Sequence, residues 1–284
     1  ALDELERALD ELRERRRREA LSRLQHLLHQ MLRQQKSLTA KTTDLIRRSA
    51  EERRQADSDA LARGEREVAE TAAEAARLLA EHGSQAAFKQ AVEHVGERAQ
   101  QVSVALAVGK IGPPVPARQK EIERVLQALL AVLEDRQVPP QAQRPPSGKP
   151  PGQQSGRQPQ QGLIRPEAEL KILRFLQEGL LNQTAEIEKM PRAERAEALK
   201  RRELARRQRL LAETARVLAE SVPPLAQVRA DMKRASEALG DGEAGEPAQA
   251  PQRRAIDMLE QLLAALQRSR AQTAAGQKPG RPGA

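Results

Sequence analysis

The residues that could do chemistry are few. His26 and His29 stand three apart on one predicted helix and would offer two nitrogens to a metal ion. A metal site needs further converging ligands, and the sequence holds no Glu-x-x-His or His-Glu-x-x-His motif. Both histidines read instead as flanks of an apolar seam, and His82 and His94 stand alone. Ser155 sits in Gly152-Gln153-Gln154-Ser155-Gly156, whose spacing is not that of a nucleophile elbow. Gly148-Lys149 is flanked by prolines and leads into no helix, so it is no phosphate loop. Asn182-Gln183-Thr184 fits a glycosylation triplet by letter but falls within a helical pattern. Thr42, Thr71, Thr184 and Thr214 read as helix threonines that bond back to a carbonyl one turn earlier. With no Cys there is no thiol nucleophile, Cys-based zinc site or disulfide framework. With two Phe, no Trp and no Tyr, an aromatic-lined small-molecule pocket and a base-stacking platform are disfavoured. No catalytic, cofactor-binding or metal-binding residue is assigned, no cofactor or small-molecule substrate is expected, and the chain reads as a non-enzyme.

Two features could bind a partner. Ala1-Leu2-Asp3-Glu4-Leu5-Glu6-Arg7 is followed by Ala8-Leu9-Asp10-Glu11-Leu12-Arg13-Glu14, a near-perfect heptad repeat. It places Leu2, Leu5, Leu9 and Leu12 along one seam. Two heptads are too short to persist alone, so this seam should dock on the body or on another chain. The following Arg15-Arg16-Arg17-Arg18 reads as a solvated face. The second feature is the stretch 192–209, with eight Lys or Arg against three Glu. Arg195, Arg202, Arg206 and Arg209 form its candidate patch for an anionic partner.

The net charge of +9 does not make the whole chain a polyanion binder. Residues 1–136 carry 24 bases and 23 acids, and residues 166–270 carry 19 and 17. Residues 137–165 and 271–284 hold the other six bases and no acid. Most of the excess thus lies outside the helical body, where acids and bases interleave, and this argues against a nucleic-acid partner.

These residues must be positioned by helices. Leu21, Leu24, Leu28, Met31, Gln35, Leu38, Thr42 and Leu45 step by threes and fours. Leu170, Leu173, Leu176 or Gln177, Leu180, Thr184 and Ile187 do the same, after a Pro166 suited to a first helical position. From Gln137 to Gly162 there are seven Pro, four Gly and eight Gln in 26 residues, a composition with nothing to bury. The flanks match one another in three collinear blocks. Leu38 to Leu45 parallels Leu180 to Ile187. Leu61-Ala62-Arg63 to Ala72 parallels Leu204-Ala205-Arg206 to Ala215. Gln119, Leu126, Leu129-Leu130-Ala131 and Leu133 parallel Gln252, Leu259, Leu262-Leu263-Ala264 and Leu266.

The expectation is an all-α protein of two tandem, related four-helix units with long coiled-coil-like helical hairpins. Residues 1–20 extend the first helix, 21–136 form unit 1, 137–165 a disordered linker, 166–270 unit 2 and 271–284 a disordered tail. The expected helices are 21–48, 60–81, 86–108 and 118–135 in unit 1, and 166–189, 192–221, 224–239 and 252–270 in unit 2. The proline clusters at 113–116 and 247–251 are read as loop.

The segment Ala168 to Ile187, with its Leu170-Lys171-x-Leu173-x-x-Leu176-Gln177 start and Thr184 one turn before Glu186-Ile187, resembles a family of uncharacterised Ala/Arg/Gln-rich coiled-coil proteins of planctomycete-type bacteria. Leu204 to Gln208 is similar to a later Leu-Ala-x-x-Gln run of that family, and Gly179 departs from it. The resemblance implies an exported, extracytoplasmic or periplasmic bacterial protein and transfers no active-site residue. The absence of Cys fits a cytoplasmic location equally. The function expected is that of a scaffold or protein-interaction protein of the cell envelope, with itself or another helical protein as partner. The alternative is peripheral contact with anionic lipid through amphipathic helices and basic segments, without a transmembrane segment.

Overall fold

The structure, a computed structural model, describes residues 2–48, 55–83, 85–135, 163–191 and 195–275. The described residues form eight helices: α1 (Leu2–Arg47), α2 (Gln55–Glu81), α3 (Ala86–Ala107), α4 (Pro114–Glu134), α5 (Pro166–Glu188), α6 (Arg195–Ala219), α7 (Leu225–Gly240) and α8 (Glu246–Ala275). No strand occurs among the described residues. The chain divides into two compact units, Ala1–Arg165 and Pro166–Ala284. The Pro/Gln/Gly-rich stretch 137–162 and the tail from 276 onward lie outside the described residues.

Among the described residues, each unit is a closed ring of four helices. In unit 1, α1 packs on α2, α2 on α3, α3 on α4 and α4 back on α1. In unit 2 the sequence α5, α6, α7, α8 repeats this cycle. The apolar seams explain the closure, because each helix buries one stripe and needs two neighbours to cover it. Leu38, Leu61, Leu126 and Leu130 are buried, and so are their counterparts Leu180, Leu204, Leu259 and Leu263.

The turn after the third helix is also duplicated. Gly109 and Gly242, 133 residues apart, both take positive φ (69° and 86°). Lys110 N donates to Ala105 O at 2.9 Å, and Glu243 N donates to Ala238 O at 2.9 Å. Gly109 N donates to Leu106 O at 3.0 Å, and Gly242 N to Leu239 O at 3.2 Å. Both are Schellman ends, in which glycine takes the left-handed position that a side chain resists.

Several boundaries differ from expectation: α2 begins at Gln55 rather than 60, and α8 runs on to Ala275, five residues into the expected disordered tail. α4 begins at Pro114 rather than 118, and α8 at Glu246 rather than 252. The prolines expected to act as breakers serve as starters, because the first four amides of a helix have no acceptor within it. Pro251 lies beyond that first turn and interrupts the α8 ladder near its start. Leu163 and Ile164, just before α5, are buried, within a stretch expected to be disordered.

Candidate interaction surface and polar core

The buried interior of α1 begins at Ala20, followed by Leu24, Leu27, Leu28 and Met31. Upstream of Ala20 the helix continues without a break to Leu2, about 27 Å of rod at 1.5 Å per residue. Residues 4–16 are all exposed. Leu5, Leu9 and Leu12 are 61%, 48% and 53% exposed, three of the six large apolar side chains that face solvent among the described residues. The side chain of Leu2 lies outside the described residues. None of the described residues of the chain's own body covers this seam.

The flanks of the seam are tied along the helix. Arg13 Nη1 pairs with Asp10 at 3.1 Å and Arg15 Nε with Glu19 at 2.9 Å. Such surface pairs support the helix by a few tenths of a kcal/mol each.

On α6, Arg202, Arg206 and Arg209 are exposed at i, i+4 and i+7 and share one face. Arg206 pairs with Glu203 at 3.1 Å, which takes up part of its charge. The side chain of Arg195 lies outside the described residues. His26 and His29 are exposed, and His29 lies 3.6 Å from Glu134. Among the described residues no group of three or more His, Asp or Glu is placed to hold a metal ion. No described helix is long and apolar enough to cross a membrane.

The arrangement that sequence reasoning missed lies inside the bundles. In unit 1, Gln119 Nε2 on α4 donates to Thr42 Oγ1 on α1 (3.0 Å) and to Glu65 Oε1 on α2 (2.7 Å). Gln35 Nε2 on α1 donates to the same Glu65 Oε1 at 2.9 Å. In unit 2, Gln252 Nε2 donates to Thr184 Oγ1 (3.2 Å) and to Gln208 Oε1 (2.9 Å), and Gln177 Nε2 donates to Gln208 Oε1 at 3.1 Å. All eight side chains are buried. Buried amides must be paired, and pairing is possible only in one register of three helices. The networks therefore fix register where leucine seams alone tolerate sliding. Ser103 Oγ bonds Ala62 O (2.8 Å) as Ser236 Oγ bonds Ala205 O (3.1 Å), locking the third helix to the second in each unit.

One further pair is duplicated with its charges exchanged. Arg98 on α3 faces Glu121 on α4 (3.5 Å). At the matching places, Asp231 on α7 faces Arg254 on α8 (3.1 Å). The signal for these contacts was present in the sequence: Gln35 and Gln177 are 142 apart, Glu65 and Gln208 143, Gln119 and Gln252 133. A polar residue recurring at a core-facing position in both copies marks a network rather than a gap in the seam.

Comparisons of the chain with protein-family models, with curated proteins and with solved structures give no match.

Proposed function

We propose that the chain is a non-enzymatic helical interaction protein, an exported scaffold of the bacterial cell envelope, that pairs with a second copy of itself through the projecting part of α1. The observation that carries this reading is the exposed Leu5, Leu9, Leu12 seam on a helix that runs past its own bundle. Burying a leucine is worth roughly 1.5–3 kcal/mol, so an uncovered seam favours a partner helix.

The charge pattern favours self-pairing in antiparallel sense. Asp3, Glu4, Glu6, Asp10 and Glu11 against Arg7 give residues 3–11 a net −4. Arg13, Arg15, Arg16, Arg17 and Arg18 against Glu14 give residues 13–18 a net +4. Antiparallel packing with Leu9 opposite the second copy's Leu12 lays each acidic stretch on a basic one. It also sets Leu5 on the aliphatic stem of Arg16 from the second copy. A parallel pair in register would oppose like charges. Two leucine layers make this a weak pairing, on the order of 10 µM.

Sedimentation equilibrium of the full chain tests the reading. The mass should rise toward twice the 31.4 kDa monomer at about 100 µM. The double substitution Leu9→Glu and Leu12→Glu should hold it at monomer. A wild-type chain that stays monomeric at that concentration would sink the proposal.

A second reading, peripheral contact with anionic lipid, is favoured by the exposed Arg202, Arg206 and Arg209 face. It predicts salt-sensitive cosedimentation with phosphatidylglycerol vesicles that is lost when the three are changed to Gln.

A further inference from the structure

The two polar cores differ at one side chain, Glu65 against Gln208, and the difference leaves two buried oxygens without a donor. In unit 2 the amides of Gln177 and Gln208 close a reciprocal pair, because Gln208 Nε2 also donates back to Gln177 Oε1 at 2.7 Å. In unit 1 the forward bond is present, from Gln35 Nε2 to Glu65 Oε1. The return bond is missing: Glu65 Oε2 and Gln35 Oε1 are both buried and both without a hydrogen-bond partner. These atoms correspond to the donor and acceptor of the return bond in unit 2. A carboxylate has no proton to supply it, whereas a carboxylic acid does.

We propose that Glu65 sits in the folded bundle as the neutral acid, its Oε2–H standing in for the Gln208 amide toward Gln35 Oε1, which makes unit 1 a proton-sensitive bundle beside a proton-insensitive twin.

The surroundings agree. From α1, Glu65 meets Gln35, and from α4 it meets Gln119; neither carries charge. The charged group acting on it from α4 is Glu123, a like charge, itself bonded to the Thr39 hydroxyl of α1. On α3, which packs on α2, the ionisable His94 and Arg98 are engaged with Glu121 of α4. Burial, the largest cause, raises the Glu65 pKa from 4.5 to about 7; the Gln119 and Gln35 hydrogen bonds oppose it and Glu123 adds to it.

The pH dependence follows from that direction. A carboxyl whose pKa is higher folded than unfolded contributes its full stabilisation below the unfolded value, near 4.5. The contribution is lost as pH rises toward and through about 7. Above that, the folded core must hold an ionised carboxylate with no cation beside it among the described residues. The opening equilibrium of unit 1 should therefore rise on the order of a hundredfold between pH 4.5 and pH 8, relative to a chain that lacks the carboxyl.

Hydrogen exchange of the full-length chain, corrected for intrinsic rates, resolves the two units. Protection of residues 61–79 should fall from pH 5 to pH 8 in the wild type and not in Glu65→Gln, which should be the better protected at pH 8. Residues 204–218 should show no such loss, and Gln208→Glu should transfer it to them. At pH 5.5 the wild type should also show the infrared carbonyl band of a protonated, buried carboxylic acid that Glu65→Gln lacks. Equal pH profiles for wild type and Glu65→Gln, or absence of that band, would overturn the proposal.

Discussion

The exchanged ion pairs make a demanding prediction. Arg98 and Glu121 are 12% and 17% exposed, and Asp231 in unit 2 is 2% exposed. Arg254 in unit 2 is half exposed, so it is the Arg98–Glu121 contact that counts for more than a surface pair, because removing one partner strands the other in a poorly solvated place. Arg98→Asp puts a carboxylate against Glu121 and withdraws the guanidinium. We expect unit 1 to lose about 2–3 kcal/mol. Glu121→Arg alone should cost a similar amount, since it also removes the partner of His94, 3.1 Å away. Unit 2 shows how to accommodate the reversed pair: Gln227 stands where unit 1 has His94. On a His94→Gln background, the combination of Arg98→Asp and Glu121→Arg should therefore recover most of the loss, with a coupling of about 1–3 kcal/mol. Urea unfolding of the four chains of this cycle, followed by circular dichroism, measures it. Additive single effects would refute the claim that the two positions are one pair carried in both units with opposite sign.

Other outcomes follow from the same structure. Leu126→Ala and Leu259→Ala remove equivalent, fully buried side chains and should each lower the stability of their own unit by about 2–5 kcal/mol, read by urea unfolding. Gly109→Ala and Gly242→Ala should each cost about 1 kcal/mol, because both glycines hold positive φ at a helix end; thermal unfolding checks this. The chain has no cysteine, so single cysteines report orientation cleanly. A mixture of Leu9→Cys and Leu12→Cys chains should form the mixed disulfide faster than either like pair; preference for like pairs would show a parallel arrangement.

The fold was legible because leucine spacing is a direct record of which helix faces are buried. Leu38, Leu61, Leu126 and Leu130 could be placed in the interior from periodicity alone, and their partners in the second copy by offset. Helix starts were harder. Pro114, Pro116 and Pro247 break a helix in its interior but suit its first turn, and sequence does not say which applies until the turn is placed. The polar cores were hidden for a related reason. Glu65 reads as a solvated helix residue by type, and only the ring of α1, α2 and α4 around it makes it internal. The Leu5, Leu9, Leu12 seam was visible as a heptad, but whether it folds onto its own unit depends on where the bundle ends, which is set by Ala20 and Leu24 meeting the other helices.

The central claim, that the projecting part of α1 is a surface for a second copy, is met most directly by concentration-dependent hydrogen exchange. Amides 4–16 should be weakly protected near 1 µM, where a helix with no neighbour frays, and clearly protected near 100 µM, where the seam is covered. Amides 24–45, inside the bundle, should not change. Protection of residues 4–16 that is the same at both concentrations would contradict the account.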